Sequence, residues 1–70
     1  MVDNVLDIIQ YESGELKQRA TIRLFARLTK SGQVWHLQGH YGRKAKSLID
    51  AGIIDYHGNI NWDTYEEGIQ

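Results

Sequence analysis

Residues 15–30 read ELKQRATIRLFARLTK, and this stretch decides the fold. Ala20, Leu24, Phe25 and Leu28 recur at helical spacing and form one apolar face. Arg19, Arg23, Arg27 and Lys30 follow i, i+4, i+8 and i+11, which gathers them into a basic stripe away from that face. Ser13 is the candidate N-cap. Glu15 then falls in the first turn, where the helix dipole favours an acid. Lys30 suits the opposite end, and Gly32 supplies the stop. The spacing predicts a helix over 15–30.

Toward the N-terminus, Val2, Val5, Leu6 and Ile9 predict a short helix over 3–11, capped by Asp3 or Asn4. Their β-branched content makes a strand the rival reading. Glu12-Ser13-Gly14 breaks the pattern. Toward the C-terminus, residues 33–38 fit a helical turn with Val34 and Leu37 inward, or a strand with Val34, His36 and Gln38 on one side; the helical turn is favoured. Gly39 allows a sharp bend. Tyr41, Ala45, Leu48 and Ile49 predict the buried face of a helix over 40–51. His40, Arg43, Lys46 and Ser47 project the other way, with Lys44 on a flank. Gly42 weakens this helix by ~1 kcal/mol relative to Ala and suggests close approach by another backbone. Gly52 ends it. Residues 53–61 read as a hairpin or loop turning at His57-Gly58-Asn59. Residues 62–70 read as one acidic helical turn capped by Asn61 or Asp63.

The expected fold is therefore mostly α. It is a single domain over 1–70: a compact bundle of three to four short helices with a small C-terminal β-hairpin or extended loop. The expected core is Leu24, Phe25, Leu28, Trp35, Tyr41, Leu48 and Ile49.

A chain of 70 residues holds one domain at most, and a domain of this size is marginal unless its core is dense or a partner completes it. Cysteine is absent, which excludes disulfides, thiolate metal sites and a Cys nucleophile. The hydrophobic share of 41 % marks a globular chain, and no apolar run approaches the ~18 residues of a membrane span. No secretory pattern opens the sequence, so the expected setting is the cytosol, without membrane association.

The net charge of −1 conceals strict segregation. Residues 1–16 carry four acids and no base, residues 17–46 all eight bases and no acid, and residues 50–70 five acids and no base. Such blocks steer partners.

The segment Trp35-His36-Leu37-Gln38-Gly39-His40-Tyr41-Gly42-Arg43, followed by Ala45, Leu48-Ile49 and Gly52, resembles a set of small tailed-phage proteins. These share a W-x-L-Q-G-x-Y-G-R-x-A-x-x-L-I-x-x-G pattern. Tyr11-Glu12-Ser13-Gly14-Glu15-Leu16 also resembles their Y-E-x-G-E-L. The likeness spans roughly residues 10–54. Those proteins tend to carry an acidic helix between the two motifs, where this chain has the basic one. The resemblance implies a phage accessory protein working in the host bacterial cytoplasm, and it transfers no catalytic residue.

The stripe Arg19, Arg23, Arg27 and Lys30 is a candidate surface for phosphates or an acidic protein; the rival readings are a plain solvated helix face and neutralisation by the chain's own acidic ends. His40, Arg43, Lys44 and Lys46 are candidates on the second basic helix. Trp62 is a candidate interface anchor. His36 and His40 have the spacing of a helical metal pair, but a third ligand is not evident, so no metal or other cofactor is expected. No phosphate-cradling glycine motif or nucleophile elbow appears, so the chain reads as a non-enzyme. The expected function is a phage-type regulator that binds and modulates or inhibits a host protein complex, with transcription or defence machinery as the classes the phage resemblance alone implies. The alternative is a helix-turn-helix-like nucleic-acid binder using the basic helix 40–51. Homo-oligomerisation is a further expectation.

Overall fold

The structure is a computed structural model that describes residues 5–68. Its elements are α1 (Val5–Glu12), α2 (Gln18–Ser31), a 3₁₀ turn (Gln33–His36), α3 (Gly39–Asp50) and α4 (Trp62–Gly68). The mostly helical expectation holds, and residues 33–36 take the helical alternative. The proposed caps Asp3 and Asn4, with Val2, lie outside the described residues.

Helix α2 is the axis of the fold. Thr21, Ile22, Leu24, Phe25, Ala26, Leu28 and Thr29 are all buried, half of its fourteen residues. That band is wider than a one-sided apolar stripe because α1, the 3₁₀ turn and α3 all pack on it. Leu24, Phe25 and Leu28 are wholly enclosed, together with Val34 and Ala45. Three helices meet on the Phe25 ring. Tyr11 of α1 meets it edge-on at 5.2 Å, and Tyr41 of α3 stacks on it at 5.8 Å. Burial of this aromatic group is the main stabilising term available to a chain with no cross-link.

The helix boundaries correct one expectation. Ser13 does not cap α2. Its hydroxyl donates to the Gln10 carbonyl at 3.1 Å, while Glu15 N–H donates to Gln10 O at 2.9 Å. Ser13 and Gly14 thus close α1, whose last carbonyls need donors. Helix α2 starts later, after the extended Lys17, and Glu15 lies outside its first turn. At the far end Gly32 performs its predicted role. It takes the left-handed conformation (φ 80°), and its N–H returns to Thr29 O at 3.1 Å.

Trp35 is a second correction. Expected in the core, it is 45 % exposed. A 3₁₀ turn has three residues per revolution, so neighbours point in widely different directions. Val34 takes the inward position, and Trp35 is turned out. Ile49 is only half-buried, whereas Tyr41 and Leu48 are buried as expected.

The C-terminal segment forms the loop alternative and not the hairpin. Among the described residues its only β contact is a single antiparallel bridge, Ile54 to Ile60. The Asp55 carboxylate explains why. It accepts from His57 N at 2.8 Å, Asn59 N at 3.0 Å and Asn59 Nδ2 at 3.1 Å, so donors that could extend a ladder are bound locally. Those bonds, the Asn59 amide first, hold the Asp55 carboxyl below its usual range. The loop buries Ile54 and delivers the chain into α4, capped by Asn61 Oδ1 accepting from Thr64 N at 3.1 Å. Tyr65 then returns to α2, its hydroxyl donating to Gln18 Oε1 at 2.9 Å.

Tyr41 links the core to α1 by donating its hydroxyl to Glu12 Oε2 at 2.5 Å. Burial first, then that bond, raise the phenol well above its ordinary value. A raised acid favours the folded state while it keeps its proton. Its contribution is complete below the unfolded phenol value of ~10 and is lost as pH climbs beyond it. Denaturant midpoints should therefore fall above about pH 10, the unfolded phenol range. Tyr41→Phe should flatten that alkaline fall. An unchanged slope in the variant would remove Tyr41 as its source.

Candidate functional site

The eight bases separate into surroundings of different kinds. Along α2, Arg19 Nη2 donates to Glu66 Oε2 at 2.8 Å. Its guanidinium also lies 5.2 Å from the Trp62 ring centroid and 5.3 Å from that of Tyr65. Arg23 lies 5.8 Å from the same Trp62 ring. Arg27 pairs with Asp7 of α1. The acidic ends of the chain thus reach two of the four stripe residues, as the neutralisation reading expects. These pairs are about half exposed, so each is worth only ~0–1 kcal/mol. Their larger consequence is electrostatic, since they offset positive charge along the stripe. Lys30 stands beside the loop at Gly58. Trp62 is half-buried, edge-on to Tyr65 at 5.8 Å and covered by Arg19 and Arg23, so it serves the seam between α2 and α4.

Helix α3 presents a different surface. An open groove of about 880 Å³ runs along its outer side, lined by Trp35, Gly39, Gly42, Arg43, Lys46 and Asp50 among others. That volume is in the range of ligand sites, but the groove is open, as suits a macromolecular partner. The Trp35 ring lies over Gly42, with Cε3 3.7 Å from where a Cβ would stand. Gly42 thus admits an aromatic ring and not the second backbone expected of it. Tyr56, from the loop, stacks beside Trp35 at 6.4 Å. The two rings form an exposed aromatic wall, 45 % and 59 % accessible.

The charges of this surface follow from helical spacing. Arg43 and Lys46 line the groove with Asp50, and Lys46 Nζ is 3.4 Å from the Asp50 carboxylate. The Arg43 guanidinium reaches back over Gly39, with Nη1 3.2 Å from a Cβ position there. Neither Arg43 nor the flanking Lys44 has a carboxylate partner among the described residues. His40 turns elsewhere, its ring 4.2 Å from Tyr41 and 6.4 Å from Tyr11.

The structure therefore gathers Arg43 and Lys46, with Lys44 close by, and adds Trp35 and Tyr56. No residue of α2 lines the groove, and Trp62 does not either. Tyr56 escaped the sequence reading because it lies in a segment without periodicity, just before a turn. Its one signal was a large aromatic beside a His-Gly-Asn turn. Among the described residues no three His, Cys, Asp or Glu side chains are grouped to hold a metal, and no helix is long and apolar enough to cross a membrane.

Four short helices around one aromatic core, with an open groove on the third, define a small helical domain. The chain belongs to a domain family of unknown function (DUF7417), whose model matches residues 1–68. No curated protein and no solved structure matches it.

Proposed function

We propose that this chain is a non-catalytic binding domain that docks an acidic protein surface in the α3 groove. The observation that carries this reading is the exposed Trp35–Tyr56 wall beside Arg43, a base with no carboxylate partner among the described residues. Tryptophan, tyrosine and arginine are the residues that most often dominate binding energy, and they do so where they cluster. The bases steer an acidic partner, and the rings supply affinity. In the setting implied by the phage-like motif, the partner is a host protein complex in the bacterial cytoplasm, whose activity the bound domain modulates.

Duplex reading by α3 is the weaker alternative. The element before α3 is a four-residue 3₁₀ turn, short for the first helix of a helix-turn-helix. Residues 53–61, where a wing after the recognition helix would have to lie, form a loop led by Asp55, whose charge repels phosphates.

Affinity capture from nuclease-treated bacterial lysate tests the proposal. Tagged wild-type chain should recover a defined protein. Trp35→Ala should reduce recovery at least about tenfold, the effect of losing a central anchor. Lys30→Glu, outside the groove, should leave it within about twofold, as for a peripheral charge. Equal recovery by wild type and Trp35→Ala would reject the groove as the docking site. Recovery of nucleic acid alone, from lysate spared the nuclease, would favour the alternative.

A further inference from the structure

Among the described residues, the large hydrophobic side chains left exposed are Val5, Leu6, Ile9, Trp35 and Tyr56. They form two patches. Leu6 and Ile9, 65 % and 56 % exposed, lie with Val5 on one face of α1, while Tyr11 and Ile8 of that helix turn toward the core. Trp35 lines the groove, and Tyr56 stacks beside it. The two patches carry opposite charge. The block 1–16 that contains α1 has four acids and no base; Asp7 is paired with Arg27, while Glu12 at the end of α1 accepts, among the described residues, only from the neutral Tyr41 hydroxyl. The groove has Arg43 and Lys46 against the single Asp50, which pairs with Lys46.

From this complementarity we infer that the chain self-associates, with α1 of one copy seated in the α3 groove of a second copy. The lengths agree. Eight residues of α1 span ~12 Å and twelve residues of α3 span ~18 Å, so the groove accommodates the whole short helix. The contact covers in one step the exposed aliphatic face and the exposed aromatic wall. An α1-to-α1 contact would instead press two acidic segments together, which like-charge repulsion opposes. The contact is heterologous, so it closes if two copies exchange helices reciprocally and otherwise extends. The inference rests on the reading of the groove as a docking surface. It also specifies that surface's ligand chemistry: a short amphipathic helix bearing acids, for which α1 is the chain's own example. An outside partner of that chemistry competes with the second copy.

Sedimentation of the purified chain at low ionic strength tests this. Wild type should gain mass with concentration, and added salt should weaken the gain. Leu6→Glu and Trp35→Ala should each raise the dissociation constant at least about tenfold, with helix content by circular dichroism unchanged. Mixed together, the two variants should associate again, because one retains the groove and the other retains α1. Either a closed dimer or a longer chain meets the inference. Wild type that stays monomeric would overturn it. So would Trp35→Ala that associates like wild type, or a mixture no better than its components. Leu6→Glu keeps the groove intact, so its capture of a host protein reads the proposed function independently of self-association.

Discussion

Phe25→Ala should unfold the domain or leave it barely folded at room temperature. Phe25 is fully buried in α2, with the Tyr11 ring edge-on to it and the Tyr41 ring stacked on it. Truncating a buried Phe costs about 3–5 kcal/mol, from lost transfer energy and the cavity left behind. A domain of this length holds roughly 4–10 kcal/mol in total. The upper part of that cost is expected here, because the two aromatic neighbours come from two different helices and cannot both collapse into one gap. Thermal melts followed by circular dichroism should show the native transition lowered sharply or absent. A loss below about 1 kcal/mol, the scale of an ordinary surface change, would mean that the three rings do not form the centre of the fold.

Gly58→Ala is the second large effect, and it arises outside any helix. Gly58 has φ +83°, and a Cβ there would stand 2.6 Å from the Ala26 carbonyl oxygen and 2.7 Å from Lys30 Cβ. The first of these neighbours is helix backbone, so the loop must lift from α2. The left-handed conformation adds about 1 kcal/mol for an L side chain, and the clash about 1–3 kcal/mol. Lifting the loop also withdraws Ile54 and loosens the approach to α4. Gly32→Ala makes the comparison. Gly32 is equally left-handed (φ +80°), but its Cβ would meet nothing within 4 Å, so only the conformational part applies. Urea midpoints should place Gly58→Ala well below Gly32→Ala. Equal midpoints would show that the loop does not rest on α2 at Gly58.

Much of this fold is legible from local pattern. The apolar spacing in α2 and α3 is strong enough to place both helices and to name Leu24, Phe25, Leu28, Tyr41 and Leu48 as core, and Gly32 marks its own helix end. What escaped was set by contacts distant in sequence. Tyr65 and Ile54 are buried only because the chain returns to α2, and no periodicity in the C-terminal segment announces that return. Ser13 fits an N-cap by type and position, but the end of α1 claims its hydroxyl first. Trp35 looked like core by size, and the 3₁₀ geometry turned it outward.

The candidate site was legible in its charges more than in its shape. Arg43, Lys44 and Lys46 stand out by sequence. Their difference from Arg19 and Arg27 does not, because it depends on where Glu66 and Asp7 come to rest. Charge segregation along a chain shows that opposite blocks exist, and only the folded arrangement shows which members meet. Tyr56 joins Trp35 across twenty-one positions of sequence through the loop after α3, a juxtaposition no local motif encodes.

The most direct measurement is side-chain footprinting of the captured complex against the free chain, both as the Leu6→Glu variant, whose groove no second copy occupies. The docking account predicts protection of Trp35 and Tyr56 on partner binding, while Trp62 on the α2–α4 seam keeps its free reactivity. Protection of Trp62 with Trp35 and Tyr56 unchanged would place the partner on the α2 stripe and contradict it.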